Sequence, residues 1–143
     1  METDFDLERF VQAQAPVYAT VLKELRSGHK RTHWMWFIFP QLGGLGSSET
    51  ARFYAIGSIE EARAYLRHPL LGARYLECVR ELQDLDLADP VAVLGEIDAL
   101  KLRSSLTLFE AARPLALFEA ALARWFGGAA DPETLRLLEA QPD

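Results

Sequence analysis

Residues 33 to 41 of this chain read His33-Trp34-Met35-Trp36-Phe37-Ile38-Phe39-Pro40-Gln41. This aromatic segment holds two of the three tryptophans and two of the eight phenylalanines. Large aromatic side chains carry the most apolar area per residue, so such a run is buried in a core or lines a pocket. We expect the fold to be organised around it, with its middle in the core and any ligand site at its two ends.

The secondary structure of the aromatic segment follows from what the chain lacks elsewhere. Aromatic residues favour a strand, but no second convincing strand is present to pair with it, and a lone strand leaves its backbone groups unpaired. The sequence therefore predicts a short helix, capped by Thr32 and ended before Pro40.

Proline, glycine and capping residues divide the remainder of the chain into short helical patterns. Asp89 and Asp131 each precede a proline, which is typical of a helix start, and Ser58 with Glu61 reads as a capping box. Asp98 is predicted to cap the helix that follows it. The chain is predicted to be all-α, a single domain over residues 1–143, with about seven to nine short and medium helices in an irregular array around one core.

Charge and cysteine content restrict the classes of partner. Fifteen basic and 21 acidic residues give a net charge of -6, which disfavours nucleic acid and anionic lipid surfaces as partners. The longest apolar run is far shorter than a membrane span, and the acidic start of the chain has no apolar leader segment. Cys78 is the single cysteine; it excludes an intrachain disulfide, fits a cytoplasmic location and is expected to be a small buried residue.

Three groups of residues are candidates for a binding site. Arg31 precedes Trp34 and Trp36, and a cation beside an indole suits a ligand that carries both an anion and a flat ring. The alternative is a solvated charged turn that leads into a core helix.

The glycine loop, residues 43–46, follows the aromatic segment. Gly44 and Gly46 allow close backbone approach to an anion, and Gln41 adds an amide that could orient a ligand. The alternative is a connector that turns sharply after a buried block.

Lys101, Ser104 and Ser105 form the third group, near Asp98 on a predicted helix. A lysine and two hydroxyls could hold a polar ligand or transfer a proton. The alternative is a surface pair of Lys101 with Asp98 and hydroxyls that bond back to their own helix.

Histidine is the remaining candidate for chemistry. His33, beside the cations, and His68, held by a following proline, are candidate acid–base groups; the alternative for His68, which the sequence favours, is that it ends a helix. His29 and His33 are four residues apart, but a glycine precedes them and no carboxylate is near in sequence, so no metal site is predicted.

The chain resembles a bacterial domain of unknown function, DUF1810, over nearly its whole length. The resemblance is carried by the aromatic segment and by Phe5-Asp6-Leu7-Glu8-Arg9-Phe10, Gly44-Leu45-Gly46, Glu61-Ala62-Arg63-Ala64-Tyr65-Leu66, His68-Pro69, Lys101-Leu102-Arg103-Ser104-Ser105-Leu106-Thr107-Leu108-Phe109 and Phe126-Gly127-Gly128. Leu106 departs from the pattern, which has methionine there, and the swap conserves volume. The resemblance implies an all-helical domain and no particular activity. Some relatives carry the label calpastatin, an inhibitor whose disordered, repeat-bearing chain differs from this one.

Two hypotheses about function follow. In the first, the chain is a binding protein or enzyme for a small anionic, nucleotide-like ligand held between the aromatic segment, the glycine loop and the Lys101 helix. In the second, it is a non-catalytic interaction module whose aromatic segment is a contact or dimer surface. The sequence names no cofactor, no ligand and no oligomeric state.

Overall fold

The computed structural model describes residues 5–141. They form ten helices and no strand: α1 Glu8–Gln14, α2 Tyr18–Ser27, α3 Met35–Ile38, α4 Glu49–Phe53, α5 Ile59–Arg67, α6 Leu71–Gln83, α7 Pro90–Leu94, α8 Glu96–Ala112, α9 Ala116–Phe126 and α10 Pro132–Ala140. Seven of them have seven or more residues, so the predicted irregular all-α array is confirmed. None of the helices in this part of the chain is long and apolar enough to cross a lipid bilayer.

Helix α8 is the central helix of the array. It packs against α5, α7, α9 and α10, and most of its second half is buried. Tyr75 of α6 stands beside it in an aromatic cluster, with its ring centroid 4.4 Å from that of Phe109 and 5.6 Å from that of Phe118. The aromatic segment joins this cluster through Phe39, whose ring centroid lies 5.7 Å from that of Tyr75.

The sequence predicted helix starts correctly where a single side chain caps the first turn. Ser58, Asp89 and Asp131 each accept a hydrogen bond from the backbone N–H three residues on, as their positions predicted. The aromatic segment is helical at α3, but Thr32 does not cap it. Asp98 is not a cap either: α8 begins two residues earlier, after Gly95, and Asp98 lies in its first turn. The sequence also suggests Asp4 or Asp6 as the cap of the first helix; Asp4 lies outside the described residues, and α1 begins after Leu7 with no side-chain cap, so Asp6 is not its cap.

The glycine loop is fixed at its base by a short parallel bridge between Leu42 and Ile56. The N–H of Gly43 donates to the carbonyl of Ile56 at 2.8 Å, and the N–H of Ile56 donates to the carbonyl of Gln41 at 2.8 Å. Ala51 of α4 lies so close to Gly46 that a Cβ there would stand 2.7 Å from its own Cβ. These contacts hold the loop against α4 and beside Trp36.

Candidate functional site

A buried carboxylate, Glu24 of α2, holds the residues that lead into the aromatic segment. Its Oε1 accepts hydrogen bonds from the backbone N–H groups of Arg31 and Thr32, at 2.8 and 3.1 Å, and from the indole N–H of Trp34, at 2.9 Å. Its Oε2 accepts one from the hydroxyl of Thr32, at 2.8 Å. Burial raises the pKa of Glu24, but these hydrogen bonds to the charged form outweigh it and lower the pKa to about 2.

Asp98 joins two lysines that are far apart in sequence. Its carboxylate lies 2.9 Å from Nζ of Lys30 and 3.5 Å from Nζ of Lys101. Each ammonium also lies near an indole: Lys30 Nζ is 5.0 Å from the ring centroid of Trp34, and Lys101 Nζ is 4.4 Å from that of Trp36. Together with the ionised Glu24 on the N–H of Trp34, two carboxylates face two ammonium groups here, and Lys101 has the longer ion pair of the two lysines.

Trp36 differs from the other two tryptophans in its indole N–H. The N–H of Trp34 donates to Glu24 and that of Trp125 donates to Gln83, both at 2.9 Å. The N–H of Trp36 donates to no residue from 5 to 141, and no buried polar side-chain atom in that range is unpaired, so this N–H is open to solvent. The half-buried Trp36 therefore presents both a ring and an unused donor.

Two depressions share Trp36 as a wall. The first, which we name the loop cavity, has a volume of about 300 Å³ and is lined by Trp36, Gln41, Leu42, Gly43, Gly44, Gly46, Ala51, Arg52, Tyr54 and Ala55. The second, the α8 groove, has a volume of about 470 Å³ and is lined by Trp36, Gln41, Leu45, Gly46, Ser47, Ser48, Ala51, Ile97, Leu100, Lys101, Ser104, Asp131 and Glu133. Four residues line both, so the two depressions are adjacent.

The loop cavity is suited to an uncharged ring with an anion at its edge. Its floor is apolar, and Arg52 is the charged residue among those that line it. The side-chain amide of Gln41 makes no hydrogen bond with residues 5–141, so its donors and acceptor are available to a ligand. The volume lies at the lower end of the range for small-molecule sites, roughly 300–1,000 Å³.

The α8 groove is more mixed in charge. Lys101 enters it from α8, while Asp131 and Glu133 lie at the start of α10. Asp131 already has partners within the chain. Its Oδ2 accepts hydrogen bonds from the N–H and the hydroxyl of Thr134. It also accepts one from the hydroxyl of Ser104, at 3.2 Å. An anion is therefore best placed at the Lys101 end, away from these carboxylates.

The structure brings together six of the residues proposed from the sequence as ligand-binding. They line the two depressions and come from the three predicted groups: Trp36, Gln41, Gly44, Gly46, Lys101 and Ser104.

Three other proposed residues lie elsewhere. Trp34 is 1% exposed, with its N–H held by Glu24, so its ring offers no face to a ligand. Ser105 is fully buried and shares a 2.8 Å hydrogen bond with the hydroxyl of Tyr75, which makes it part of the core. Arg31 is exposed and lines neither depression; its backbone N–H, rather than its guanidinium, has a defined partner.

Neither candidate acid–base histidine lines the two depressions. His33 is exposed in the turn before α3. His68 ends α5, and its Nδ1 accepts hydrogen bonds from the N–H groups of Leu70 and Leu71, at 3.2 Å each. This matches the alternative in which His68 ends a helix. Across residues 5–141, no group of three or more His, Cys, Asp and Glu residues is arranged to hold a metal ion.

Sequence reasoning missed several residues of the two depressions. The sequence suggested no site role for Arg52 and Tyr54 of the loop cavity or for Ile97 and Leu100 of the α8 groove. The exposure of Ile97, at 71%, and of Leu100, at 63%, was not predictable from helical spacing alone. The spacing of Arg52 from the glycine loop was the signal that could have placed it at the site.

Comparison with known proteins identifies the family of this chain. The model of the family described as "Protein of unknown function (DUF1810)" matches residues 4–138. The chain belongs to this family. The resemblance noted from the aromatic segment is thereby confirmed.

A solved structure with the same fold is the crystal structure of the conserved hypothetical protein Rv1873 from Mycobacterium tuberculosis. It is 51% identical, the match covers 96% of this chain and 99% of that chain, and the TM-score is 0.94. Among curated proteins, none matches this DUF1810 chain.

Proposed function

We propose that this DUF1810 protein binds a small anionic ligand that contains a flat ring, of the nucleotide class, in the loop cavity and the adjoining end of the α8 groove. The observation that carries the proposal is Trp36. It is the tryptophan with an unused N–H, it lines both depressions, and Lys101 lies 4.4 Å from its ring centroid.

The ring of the ligand is proposed to lie in the loop cavity against Trp36 and Tyr54. Flat rings pack favourably on aromatic side chains, and a purine suits the apolar floor of a cavity of about 300 Å³. The amide of Gln41 would then orient the polar edge of the ring or the group next to it.

The anion is proposed to lie where the two depressions meet, within reach of Lys101 and Arg52. Lys101 is already paired with Asp98, but at 3.5 Å, and Asp98 has the closer partner Lys30 at 2.9 Å. The ammonium of Lys101 can therefore turn toward an incoming anion while Asp98 keeps a counter-ion. Gly44 and Gly46 line this part of the site without side chains that would keep an anion away from the loop backbone.

Thermal unfolding with AMP, ADP, NAD and ADP-ribose tests this function. A ligand at one hundred times its Kd stabilises the folded chain by about 2.7 kcal/mol. For a domain of this size, that raises Tm by roughly 5–10 °C. Absence of any rise at millimolar concentrations of all four compounds would refute nucleotide binding.

Calorimetric titration of two lysine variants then locates the site. Lys101→Met removes the proposed anion contact and is expected to weaken binding about tenfold or more, since hydrogen bonds to charged groups contribute about 1.5–3 kcal/mol. Lys23→Met makes the same charge change on the exposed side of α2, outside both depressions, and is expected to leave Kd within about twofold. Equal losses in the two variants would show that the ligand responds to overall charge and not to this site.

The aromatic segment is a poor candidate for a protein-contact surface. Trp34, Met35, Ile38 and Phe39 are each at most 2% exposed, and Trp36 is only half-buried within a groove. No observation on this segment therefore favours the interaction-module hypothesis over ligand binding.

A further inference from the structure

The α8 groove has an exposed apolar wall that a purely polar nucleotide would leave uncovered. Ile97 and Leu100, one turn apart on α8, line the groove beside Lys101 and are 71% and 63% exposed. Isolated exposed apolar residues are ordinary on protein surfaces, but here two of them form the side of a groove that also contains a lysine and an indole.

Leu100 also lines a second apolar space, on the neighbouring face of α8. We name it the α7–α8 hollow; its volume is about 490 Å³ and it is lined by Pro90, Val91, Glu96, Ala99, Leu100, Arg103, Phe126 and Ala129. Val91 at its edge is 50% exposed. Arg103 does not offer a free charge there, because its guanidinium donates to the carbonyls of Ala129 and Ala130 at 2.7 and 2.9 Å.

Shared lining residues place the three spaces in a row. The loop cavity comes first, the Lys101 end of the α8 groove second, and the apolar path over Ile97 and Leu100 into the α7–α8 hollow third. Asp131 and Glu133 on the α10 side of the groove disfavour a second anionic group on this path, so an uncharged chain fits it better than a longer polyphosphate.

We propose that the ligand is amphipathic: a ring-bearing anion joined to an aliphatic chain, with the chain lying over Ile97 and Leu100 toward the α7–α8 hollow. This inference rests on the proposed function, since it takes the ring and the anion to be held at Trp36 and Lys101. It names the class of ligand more narrowly, as a nucleotide or similar ring-bearing anion carrying an acyl or alkyl group.

The test uses the O-methyl, O-butyl and O-hexyl esters of AMP with the whole chain. Each ester carries one negative charge, so the series varies only the length of the alkyl chain. A partly buried chain is expected to tighten Kd by about twofold to threefold per methylene, since full burial of a methylene corresponds to about fourfold. In Leu100→Ser the methyl ester should bind as it does to the unaltered chain, while the gain from butyl and hexyl should be mostly lost.

Leu87→Ser is the matched control. Leu87 is 73% exposed and lines none of the three spaces, so this variant should keep the full dependence on chain length. Circular dichroism checks that both variants are folded, which is expected because both side chains are largely solvated.

The outcomes separate this inference from the proposed function. If the methyl ester binds and chain length has no effect, or has the same effect in Leu100→Ser, the amphipathic ligand is refuted and the ring-and-anion site stands. If hexyl binds and methyl does not, and Lys101→Met changes nothing, the apolar path is used but the proposed anion site is refuted. If no ester binds, or if light scattering shows a dimer that Leu100→Ser abolishes, the apolar wall serves another purpose and the proposal fails.

Discussion

Replacing Glu24 by glutamine should remove the charge that holds the turn before the aromatic segment. Glutamine keeps one oxygen in the place where Oε1 accepts the N–H groups of Arg31, Thr32 and Trp34, and its amide can still meet the hydroxyl of Thr32. The variant therefore resembles the protonated carboxyl in shape, and the expected loss is that of the charged hydrogen bonds alone.

The magnitude follows from the pKa of Glu24. Burial raises this pKa, but the hydrogen bonds lower it from 4.5 to about 2, a difference that corresponds to about 3 kcal/mol. The neighbouring turn is exposed, and solvent screening reduces the expected loss to about 2 kcal/mol. Glu139→Gln, on the exposed face of α10, should change the free energy of unfolding by less than about 0.5 kcal/mol.

Urea unfolding followed by circular dichroism at several pH values measures the loss of stability and shows whether it comes from the charge of Glu24. Because the folded-state pKa is depressed, the stabilisation by Glu24 is fully present above pH 4.5 and declines as the pH falls toward 2. The free energy of unfolding of the unaltered chain should therefore exceed that of Glu24→Gln by about 2 kcal/mol at pH 7, and this difference should shrink below pH 4.5. A variant as stable as Glu139→Gln at pH 7, or a constant difference across this range, would contradict the reasoning.

Two further substitutions or modifications test the packing. Gly72→Ala should destabilise the chain by about 2 kcal/mol or more in urea unfolding, because its Cβ would stand 2.1 Å from the carbonyl oxygen of Leu66. Gly57→Ala, whose Cβ would meet its nearest neighbour at 3.4 Å, is the control, and equal stability of the two variants would contradict this packing. Cys78 is buried and its pKa is raised to about 12 by burial, so a thiol reagent at pH 8 should modify it only after unfolding; rapid reaction of the folded chain would show that α6 opens.

The helices were predictable from sequence where the signal is local. The Asp-Pro pairs at Asp89 and Asp131 start helices because one carboxylate and one proline suffice to define a first turn. Asp98 was misassigned because its main partner, Lys30, is 68 residues away in sequence and draws the carboxylate to a long-range ion pair. No local sequence pattern reveals the ion pair between Lys30 and Asp98.

The site was only partly predictable for a similar reason. Trp34 and Trp36 are two residues apart, and at helical spacing such positions face different directions, so composition could not tell which indole is in the core. Ser104 and Ser105 also face different directions: Ser104 lines the α8 groove, and Ser105 is hydrogen-bonded to Tyr75 in the core. Glu24, ten residues before Trp34, had no sequence signal that distinguishes it from a solvated helix glutamate.

The chemical shift of the Trp36 indole N–H tests the proposed site most directly. In a proton–nitrogen correlation spectrum the three tryptophans give three indole signals, and Trp36→Phe identifies the one that belongs to Trp36. Titration with AMP should move that signal progressively to saturation, while the signals of Trp34 and Trp125, whose N–H groups are held by Glu24 and Gln83, stay in place. An unmoved Trp36 signal at saturating AMP, or equal movement of all three, would contradict binding at Trp36.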